Sequence, residues 1–313
     1  MPGMAIRIRR RLRLLRWGRR LRHRWMHLSP RLLRRVIWRL GRALLLFQSD
    51  KAAMDSCCPI CSHAMRPKDS PGKFMLFVCS SCGHEKQLDF EFSWRETLVN
   101  GIRVLAQVKH QRNTTNCIFY AIAAALEAMM KFKMAEKGDN YHDTISIDDM
   151  LSYVAHCARE DPLCGNHKSG TFKFTCCENM LKTIGVLTNK GMQKPVDLRE
   201  DSDYVKIKES HWHDDMAFEE TCSLVLQGKM LIATVRDTEA FHSLKPDDVY
   251  ECTAFPETTS GLKVWHALVI VGFGVKDGKK FFRVQNSHGS YWADSGFGRV
   301  RDNSVGKIWE LRI

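Results

Sequence analysis

One apolar run, with a single charge, most constrains what this chain can fold into. Residues 117–130, CIFYAIAAALEAMM, carry only Glu127 as a charged side chain. A helix that is apolar on every side must be buried, so protein has to surround it. The segment 92–313, about 220 residues, is long enough to do so with two packed lobes around a cleft. We therefore expect a buried helix over 117–133.

Cys117 is the first residue of this predicted helix. Unpaired backbone N–H groups and the helix dipole favour negative charge at that end, which lowers the pKa of a thiol. A cysteine that begins an apolar helix usually serves as a small core hydrophobe, so this position alone decides little. It nevertheless suits a nucleophile.

Later segments supply the groups that a thiolate needs for acyl transfer. His266 opens HALVIVGFG, an apolar run that predicts a buried strand holding the imidazole at its end. Asn286 ends a second predicted strand, where its amide can hydrogen-bond the imidazole. Gln111, six residues before Cys117, can donate its side-chain amide to an oxyanion. Together they offer a nucleophile, a base, an orienting group and an oxyanion stabiliser.

From about Trp94 to about Val300 the chain resembles the papain-like cysteine peptidases. VKHQRNTTNC matches the family frame V-K-x-Q-x-x-x-x-x-C, and HALVIVGFG resembles the family's histidine strand. NSHGSYWADSGFGRV resembles the segment N-S-W-G-x-x-W-G-x-x-G-Y, and SWRE looks like the mature start. His266 lies 149 residues after Cys117, inside the usual interval, and Asn286, at 169, lies somewhat beyond it.

The resemblance implies an α+β, two-lobed papain-like fold, with one helical lobe and one β-rich lobe. It implies a cysteine-type endopeptidase that hydrolyses peptide bonds of polypeptide substrates through a Cys117 acyl-enzyme. His266 would be the acid/base that faces Cys117 across the lobe boundary, Asn286 its orienting group, and Gln111 part of the oxyanion hole. The alternative is a catalytically weak or inactive papain-fold protein that binds or regulates.

The chain departs from the family at substrate-site positions. Thr115 stands where a glycine lets the substrate backbone approach, and Ile118 stands where a tryptophan packs. His288 replaces the tryptophan that shields the Asn–His hydrogen bond, although Trp292 is kept. Residues 164–166 match the family's Gly-Gly substrate strand only loosely. We expect drift in the substrate site more than loss of the catalytic groups.

Periodicity and capping signals predict the remaining elements. Ser146 and Asp149 predict an N-cap and a capping box for the second helix, and Gly185 ends the third. The second and third predicted helices cover 146–157 and 174–184. The predicted strands lie near 229–235, 264–272, 280–286 and 296–301.

Four cysteines before this domain form two C-x-x-C pairs. Cys58 and Cys61 are followed, after seventeen residues, by Cys79 and Cys82. Pairs at this separation can hold four thiolates tetrahedrally around one ion, which predicts a small zinc ribbon with one structural Zn²⁺. Two redox pairs are the other interpretation. Cys57, His63 and His84 are alternative ligands.

The twelve cysteines also bear on the compartment. Each disulfide that the family uses lacks one end here, because Thr114 replaces the partner of Cys164 and neither Cys157 nor Cys252 finds one. This pattern favours a reducing, intracellular compartment, the cytosol or nucleus, or an organelle if the N-terminus is a presequence. A vacuolar, lysosomal or secreted enzyme is the alternative. Disulfides that involve Cys176, Cys177 or Cys222 are compatible with the sequence.

Residues 1–50 differ in composition, with fifteen arginines and one acidic residue, Asp50, for a net charge of +14. The whole chain carries +13, so residues 51–313 carry about −1. Arginine alternates with leucine, tryptophan and isoleucine, which is typical of a presequence, a membrane-surface helix or a nucleic-acid-binding arm. Translation from Met54 would instead leave this block outside the protein.

Three domains follow from these patterns. We expect an Arg-rich extension at 1–50, disordered or targeting, a zinc ribbon at 54–88 and a papain-like peptidase domain at 92–313. The ribbon or the extension is expected to contact protein or nucleic acid. No run of residues is long enough to be a transmembrane segment.

Overall fold

The computed structural model describes residues 57–68, 76–87, 89–160, 169–252 and 265–313. The chain divides into two compact units, Met1–Lys86 and Gln87–Ile313. The Arg-rich extension predicted at 1–50 lies outside the described residues, as do residues 164–166. Across the described ranges, no helix has the length and the apolar character needed to cross a membrane.

The first unit contains a small antiparallel sheet. Its strands are β1 (Met65–Pro67), β2 (Leu76–Cys79) and β3 (Glu85–Gln87), in the order β1-β2-β3. Leu76 and Phe77 are buried, and so are Cys58 and Cys79. So few apolar side chains make a small core, and a segment of this size usually needs a metal or another cross-link to stay folded.

The second unit contains both helices and strands. The helices are α1 (Cys117–Ala135), α2 (Ile147–Glu160), α3 (Gly170–Thr183), α4 (Asn189–Gln193), α5 (Phe218–Leu226) and α6 (Glu239–His242). Helix α1 starts where the sequence predicts and is buried along most of its length. Its buried acidic residue, Glu127, is 1% exposed, and it is paired with Lys109 Nζ at 2.7 Å. The carboxylate also accepts the Ile145 N–H at 2.8 Å.

Helix α2 has the predicted N-cap, Ser146, but not the predicted capping box with Asp149. Ser146 Oγ accepts the Asp149 N–H at 3.1 Å, as an N-cap does. The Asp149 carboxylate, however, accepts the Leu187 N–H at 2.8 Å, and the Ser146 N–H donates to Leu187 O at 2.9 Å. The capping box therefore does not form, because the Asp149 carboxylate and the Ser146 N–H are both hydrogen-bonded to the backbone of Leu187. Helix α3 begins earlier than predicted, since Ser169 caps it.

Most strands of the second unit form a large antiparallel sheet. The strands of this unit are β4 (Phe90–Ser93), β5 (Leu98–Val99), β6 (Ile102–Arg103), β7 (Val186–Leu187), β8 (Tyr204–Val205), β9 (Glu209–His213), β10 (Leu231–Arg236), β11 (Trp265–Lys276), β12 (Lys279–Gln285), β13 (Phe297–Arg301) and β14 (Val305–Arg312). Strand β5 pairs with β6, and β7 with β8, in two-stranded sheets. The seven-stranded sheet has the order β13-β12-β11-β10-β14-β9, with β4 also paired to β11. Helices plus this sheet give the predicted α+β class.

Strand β11 is the element against which the helices and the sheet meet. Its first half pairs with β10 and its second half with β4 and β12. Ile270 and Val271 are fully buried, as the uninterrupted apolar run predicts. Helices α1 and α5 both pack against β11. The start of β11 therefore lies close to the start of α1, and both predicted catalytic side chains occur there.

Candidate active site

Cys117 lies half-buried at the first turn of α1. Burial raises the pKa of its thiol, although the backbone N–H groups of Ala267 and Ile118 lower it. The sequence predicts a lowered pKa for this thiol, because the helix N-terminus is visible in the sequence and the loss of water around the buried sulfur is not. The Ala267 contact brings the sulfur to the residue that follows His266.

His266 is the second residue of β11, opposite Val235 of β10, and is 2% exposed. Its Nε2 lies 2.6 Å from Asn286 Oδ1. The Ser287 N–H donates to the same oxygen at 2.7 Å, so that atom is an acceptor and the His266 Nε2 must carry the proton. His266 Nδ1 is then the unprotonated nitrogen of the neutral ring, which is the tautomer that a general base at Cys117 needs.

Asn286 is held at the end of β12 by a close backbone approach. Its N–H donates to Gly296 O at 2.9 Å. Gly296 has φ +88°, and a Cβ there would lie 2.4 Å from Val108 Cγ1. Only glycine tolerates that conformation and that contact, so the turn that carries Gly296 fixes the amide of Asn286.

Aromatic rings cover the His266–Asn286 hydrogen bond. The His288 ring lies 4.6 Å from the His266 ring, at the position where the family has a tryptophan. Phe241 lies 5.5 Å from His266, and Trp292 donates its indole N–H to Phe241 O at 2.9 Å. Burial is the largest cause that lowers the pKa of His266, to about 3, and the neighbouring His288 adds to it, whereas Asn286 opposes it.

Gln111 is 6% exposed and is tied to the Asn286 segment. Its N–H donates to Ser287 O at 2.8 Å, and the Ser287 hydroxyl donates to Gln111 Oε1. The Gln111 side-chain amide donates to Thr114 O at 2.8 Å, which uses one of its two hydrogens. Ser287 is therefore a supporting residue that no sequence motif marked with a role of its own, although it follows Asn286 in the N-S segment.

Two charges flank the thiol. Asp237, after β10, raises the pKa of Cys117, and Lys173 of α3 lowers it, both less than burial does. Lys173 Nζ donates to Thr115 O at 2.8 Å, so a cation lies at the position where the family has a glycine. No spacing rule in the sequence points to either residue, because each comes from an element distant along the chain.

None of the described cysteines forms a disulfide. Those in the second unit are Cys117, Cys157, Cys176, Cys177, Cys222 and Cys252. Cys164 lies outside the described residues. Burial raises the pKa of Cys222 and of Cys177. Those two thiols are therefore poor nucleophiles, and Cys117 is distinguished by its neighbours and not by a low pKa.

The four predicted zinc ligands come together in the first unit. The sulfur atoms of Cys58, Cys61, Cys79 and Cys82 all lie within 4.8 Å of one another. Cys58 and Cys82 are 3.5 Å apart, and Cys61 lies 3.3 Å from Cys79 and 3.4 Å from Cys82. No other such cluster occurs among the described residues.

This sulfur cluster suits a metal ion. Sulfurs bound at about 2.3 Å in a tetrahedron lie somewhat under 4 Å apart, close to the spacing found here. Backbone N–H groups also point at the sulfurs: those of Ile60 and Ser81 donate to Cys58 and Cys79, each at 3.4 Å. Such N–H groups stabilise thiolates, and that of Cys82 is the largest cause lowering the pKa of Cys79 to about 6. The cluster can therefore hold a metal ion.

Comparison with known proteins agrees with this architecture. The family model described as papain family cysteine protease matches residues 88–309. The probable cysteine protease RDL5 of Arabidopsis thaliana is 23% identical over 200 residues, which cover 64% of this chain and 50% of that protein. The chain thus spans about half the length of this relative.

Two solved structures share the fold. Bromelain of Ananas comosus, in complex with the E64 inhibitor, is 20% identical with a TM-score of 0.51, over 71% of this chain and 98% of that one. Digestive procathepsin L2 from the larval midgut of Tenebrio molitor is 14% identical with a TM-score of 0.55, over 92% and 95%. The family match spans most of the second unit and includes every predicted catalytic position. The chain therefore belongs to the papain family of cysteine proteases.

Proposed function

We propose that this chain is a thiol endopeptidase in which Cys117 attacks the peptide carbonyl, His266 moves the proton and Asn286 orients the imidazole. One observation carries the proposal. The hydrogen bond from His266 Nε2 to Asn286 Oδ1, 2.6 Å long and buried, leaves Nδ1 as the basic nitrogen beside the strand residue that contacts the Cys117 sulfur. This arrangement matches the roles that acyl transfer requires.

The resting pair is neutral, because the pKa of Cys117 is raised and that of His266 is lowered to about 3. The thiol proton passes to His266 Nδ1 as the sulfur attacks the carbonyl carbon and a tetrahedral oxyanion forms. The imidazolium then gives that proton to the leaving amine, the C–N bond breaks and a thioester remains. Water attacks the thioester while His266 takes its proton, which releases the acid and restores the thiol.

The Cys117 N–H and the second amide hydrogen of Gln111 are proposed to stabilise the oxyanion. Both donors belong to the turn between 111 and 117, and the Ser287 bonds hold Gln111 in place. Fixed donors that need no rearrangement contribute most to such catalysis. Polypeptides are the proposed substrates.

A catalytically weak binding or regulatory protein is the second candidate. It is favoured by the directions of the two pKa shifts, which disfavour a thiolate, and by Lys173 beside Thr115. Both candidates share the fold, so only the reactivity of Cys117 separates them.

Alkylation by iodoacetamide, followed by mass spectrometry of each cysteine peptide, tests the proposal. Cys117 should react faster than the other cysteines near neutral pH, because His266 removes its proton. The reaction should be lost in Cys117→Ser and fall about tenfold or more in His266→Ala, and the same variants should stop hydrolysis of a denatured protein. Cys252→Ser should change neither result. Uniform labelling of all thiols, with no hydrolysis, would favour the binding protein.

The ribbon, the extension and the compartment complete the proposal. We propose one structural Zn²⁺ on the four cysteines of the first unit, which gives a zinc-ribbon domain at 54–88 before a peptidase domain at 92–313. The described cysteines of the second unit form no disulfide, which supports a reducing compartment, and a vacuolar or secreted location is the competing proposal. Protein or nucleic acid remains the proposed partner of the ribbon or of residues 1–50.

A further inference from the structure

Two more imidazoles extend outward from His266. The His288 ring lies 4.6 Å from the His266 ring, and the His242 ring stacks on His288 at 4.9 Å with an angle of 9° between the planes. We call these three residues the histidine row. His242 lies at the end of α6, and its Nε2 is 2.7 Å from Asp237 Oδ1. The row therefore runs from the catalytic base to an acidic side chain.

The charged groups around the row are few. Asp237 and His288 face His242, while His242, His266 and His110 face His288. Lys173 acts on Cys117 from α3, on the helical side. Within the described residues, Asp237 is thus the anion paired with the row, and it lies beside the ring farthest from His266. His242 is therefore the ring of the row whose nitrogen lies beside a carboxylate.

A proton on His242 has a definite effect on the catalytic pair. The proposed nucleophile forms when the Cys117 proton moves to His266, and this places a second positive charge in the row. Two cations at such distances repel each other, which opposes the transfer. Asp237 acts in the same direction, because its negative charge disfavours a thiolate at Cys117. Asp237 and a protonated His242 therefore both favour the neutral forms of Cys117 and His266.

We propose that His242, paired with Asp237 and acting across His288, holds Cys117 and His266 in their neutral forms in mild acid and releases them as the pH rises. The inference rests on the proposed peptidase function. His242 and Asp237 contact neither substrate nor sulfur in this scheme, so they are positioning and tuning residues. The chain would be a peptidase whose reactivity increases toward neutral pH.

The pKa directions agree with this arrangement. Burial is the largest cause lowering the pKa of His288 to about 4, and His242 and His110 add to it. His242 also contributes to the lowered pKa of His266, after burial and His288. Each unit by which the pKa of His266 rises increases the share of the thiolate–imidazolium form about tenfold.

The rate of Cys117 alkylation by iodoacetamide, measured on the full chain between about pH 5 and about pH 8, tests the proposal. His242→Gln removes the cation and should speed alkylation about three- to tenfold at the acid end, with little change at the upper end. The pH profile should therefore flatten. Asp237→Asn should speed alkylation throughout, since the carboxylate no longer opposes the thiolate. His156→Gln, on the exposed face of α2, should reproduce the parent profile.

An unchanged or slower acid-side rate in His242→Gln would overturn the inference while leaving the peptidase proposal intact. If Cys117 is no more reactive than other thiols in the parent chain, the peptidase proposal fails instead. The tuning is then tested by the ring resonances of His266 in NMR titration, whose apparent pKa should rise in His242→Gln. Cooperative melting checks that each variant folds, and His288→Trp, which removes the nearest imidazole, should shift alkylation in the same direction.

Discussion

Gln111 uses one amide hydrogen on Thr114 O and keeps its carbonyl on the Ser287 hydroxyl. Its side chain is thus held at both ends of the amide, and one hydrogen is left for an oxyanion. A donor fixed in this way stabilises negative charge without rearranging, which makes it more effective in the transition state than in the ground state.

Gln111→Ala separates this role from the chemistry of the thiol. Peptide hydrolysis should fall about 10²- to 10³-fold, because one oxyanion donor is lost. Alkylation by iodoacetamide should be nearly unchanged, since that reaction forms no oxyanion. Kinetics of both reactions on the same preparations provide the measurement.

Two variants control this prediction. Ser287→Ala removes the support of Gln111 Oε1 but leaves the donor, so its effect on hydrolysis should be smaller. Gln193→Ala, on an exposed position of α4, should have none. Equal losses of hydrolysis and alkylation in Gln111→Ala would mean that the residue only maintains the shape of the site.

The site residues that can be predicted from the sequence are those that belong to a recognisable motif. Cys117, His266 and Asn286 were proposed from their flanks, and the structure brings the segments that carry them together. Asp237 and His242 were missed, because nothing local marks a turn after β10 as a neighbour of Cys117. The direction of the Cys117 pKa was also wrong, since burial of the sulfur depends on packing from distant segments.

At the scale of elements, continuous apolar runs were more informative than alternating ones. The runs that became α1 and β11 were located to within a few residues, because burial on all sides leaves a strong pattern. Strands β9 and β14 were not predicted. Strand β9, ESHWH, is largely exposed and polar, and it is held by pairing with β14 and by the stacking of Trp212 on Trp309 at 5.2 Å.

The ribbon gives a prediction at this scale. Elemental analysis of the full chain should find one zinc per molecule, and Cys79→Ser combined with Cys82→Ser should lose it, because two of four thiolates are removed. Cys57→Ser, a change at an exposed cysteine next to the cluster, should keep the metal.

The double variant also tests independence of the two units. Alkylation of Cys117 should persist in it, since the ribbon cysteines belong to the first compact unit and the catalytic groups to the second. Zinc retained by the double variant would contradict the assigned ligands. Loss of Cys117 reactivity together with the metal would show that the peptidase domain depends on the ribbon.

For the whole molecule, the state of the cysteines decides how stability responds to redox conditions. If the peptidase domain has no disulfide, its folded state lacks the ~2 to 5 kcal/mol that a native bridge commonly contributes. Reductant should then leave the melting temperature nearly unchanged. Calorimetry with and without a phosphine reductant measures this.

Thiol counting on the same protein gives the complementary result. Mass spectrometry after thiol blocking should find Cys157, Cys164 and Cys252 free, and a tagged full chain should be found in a reducing compartment. Two or more intact bridges, with a large fall in melting temperature under reductant, would make the vacuolar, lysosomal or secreted alternative the better one.

Strand β14 lies inside the main sheet, between β10 and β9, although it is the last of the described strands along the chain. Its hydrogen bonds join β10 through Trp309 and Ile308, and β9 through the same segment. During synthesis the helical lobe and β10 emerge well before the strand that completes their sheet. The nascent chain must therefore wait with an open sheet edge, which is a state prone to mispairing and one that chaperones would need to protect.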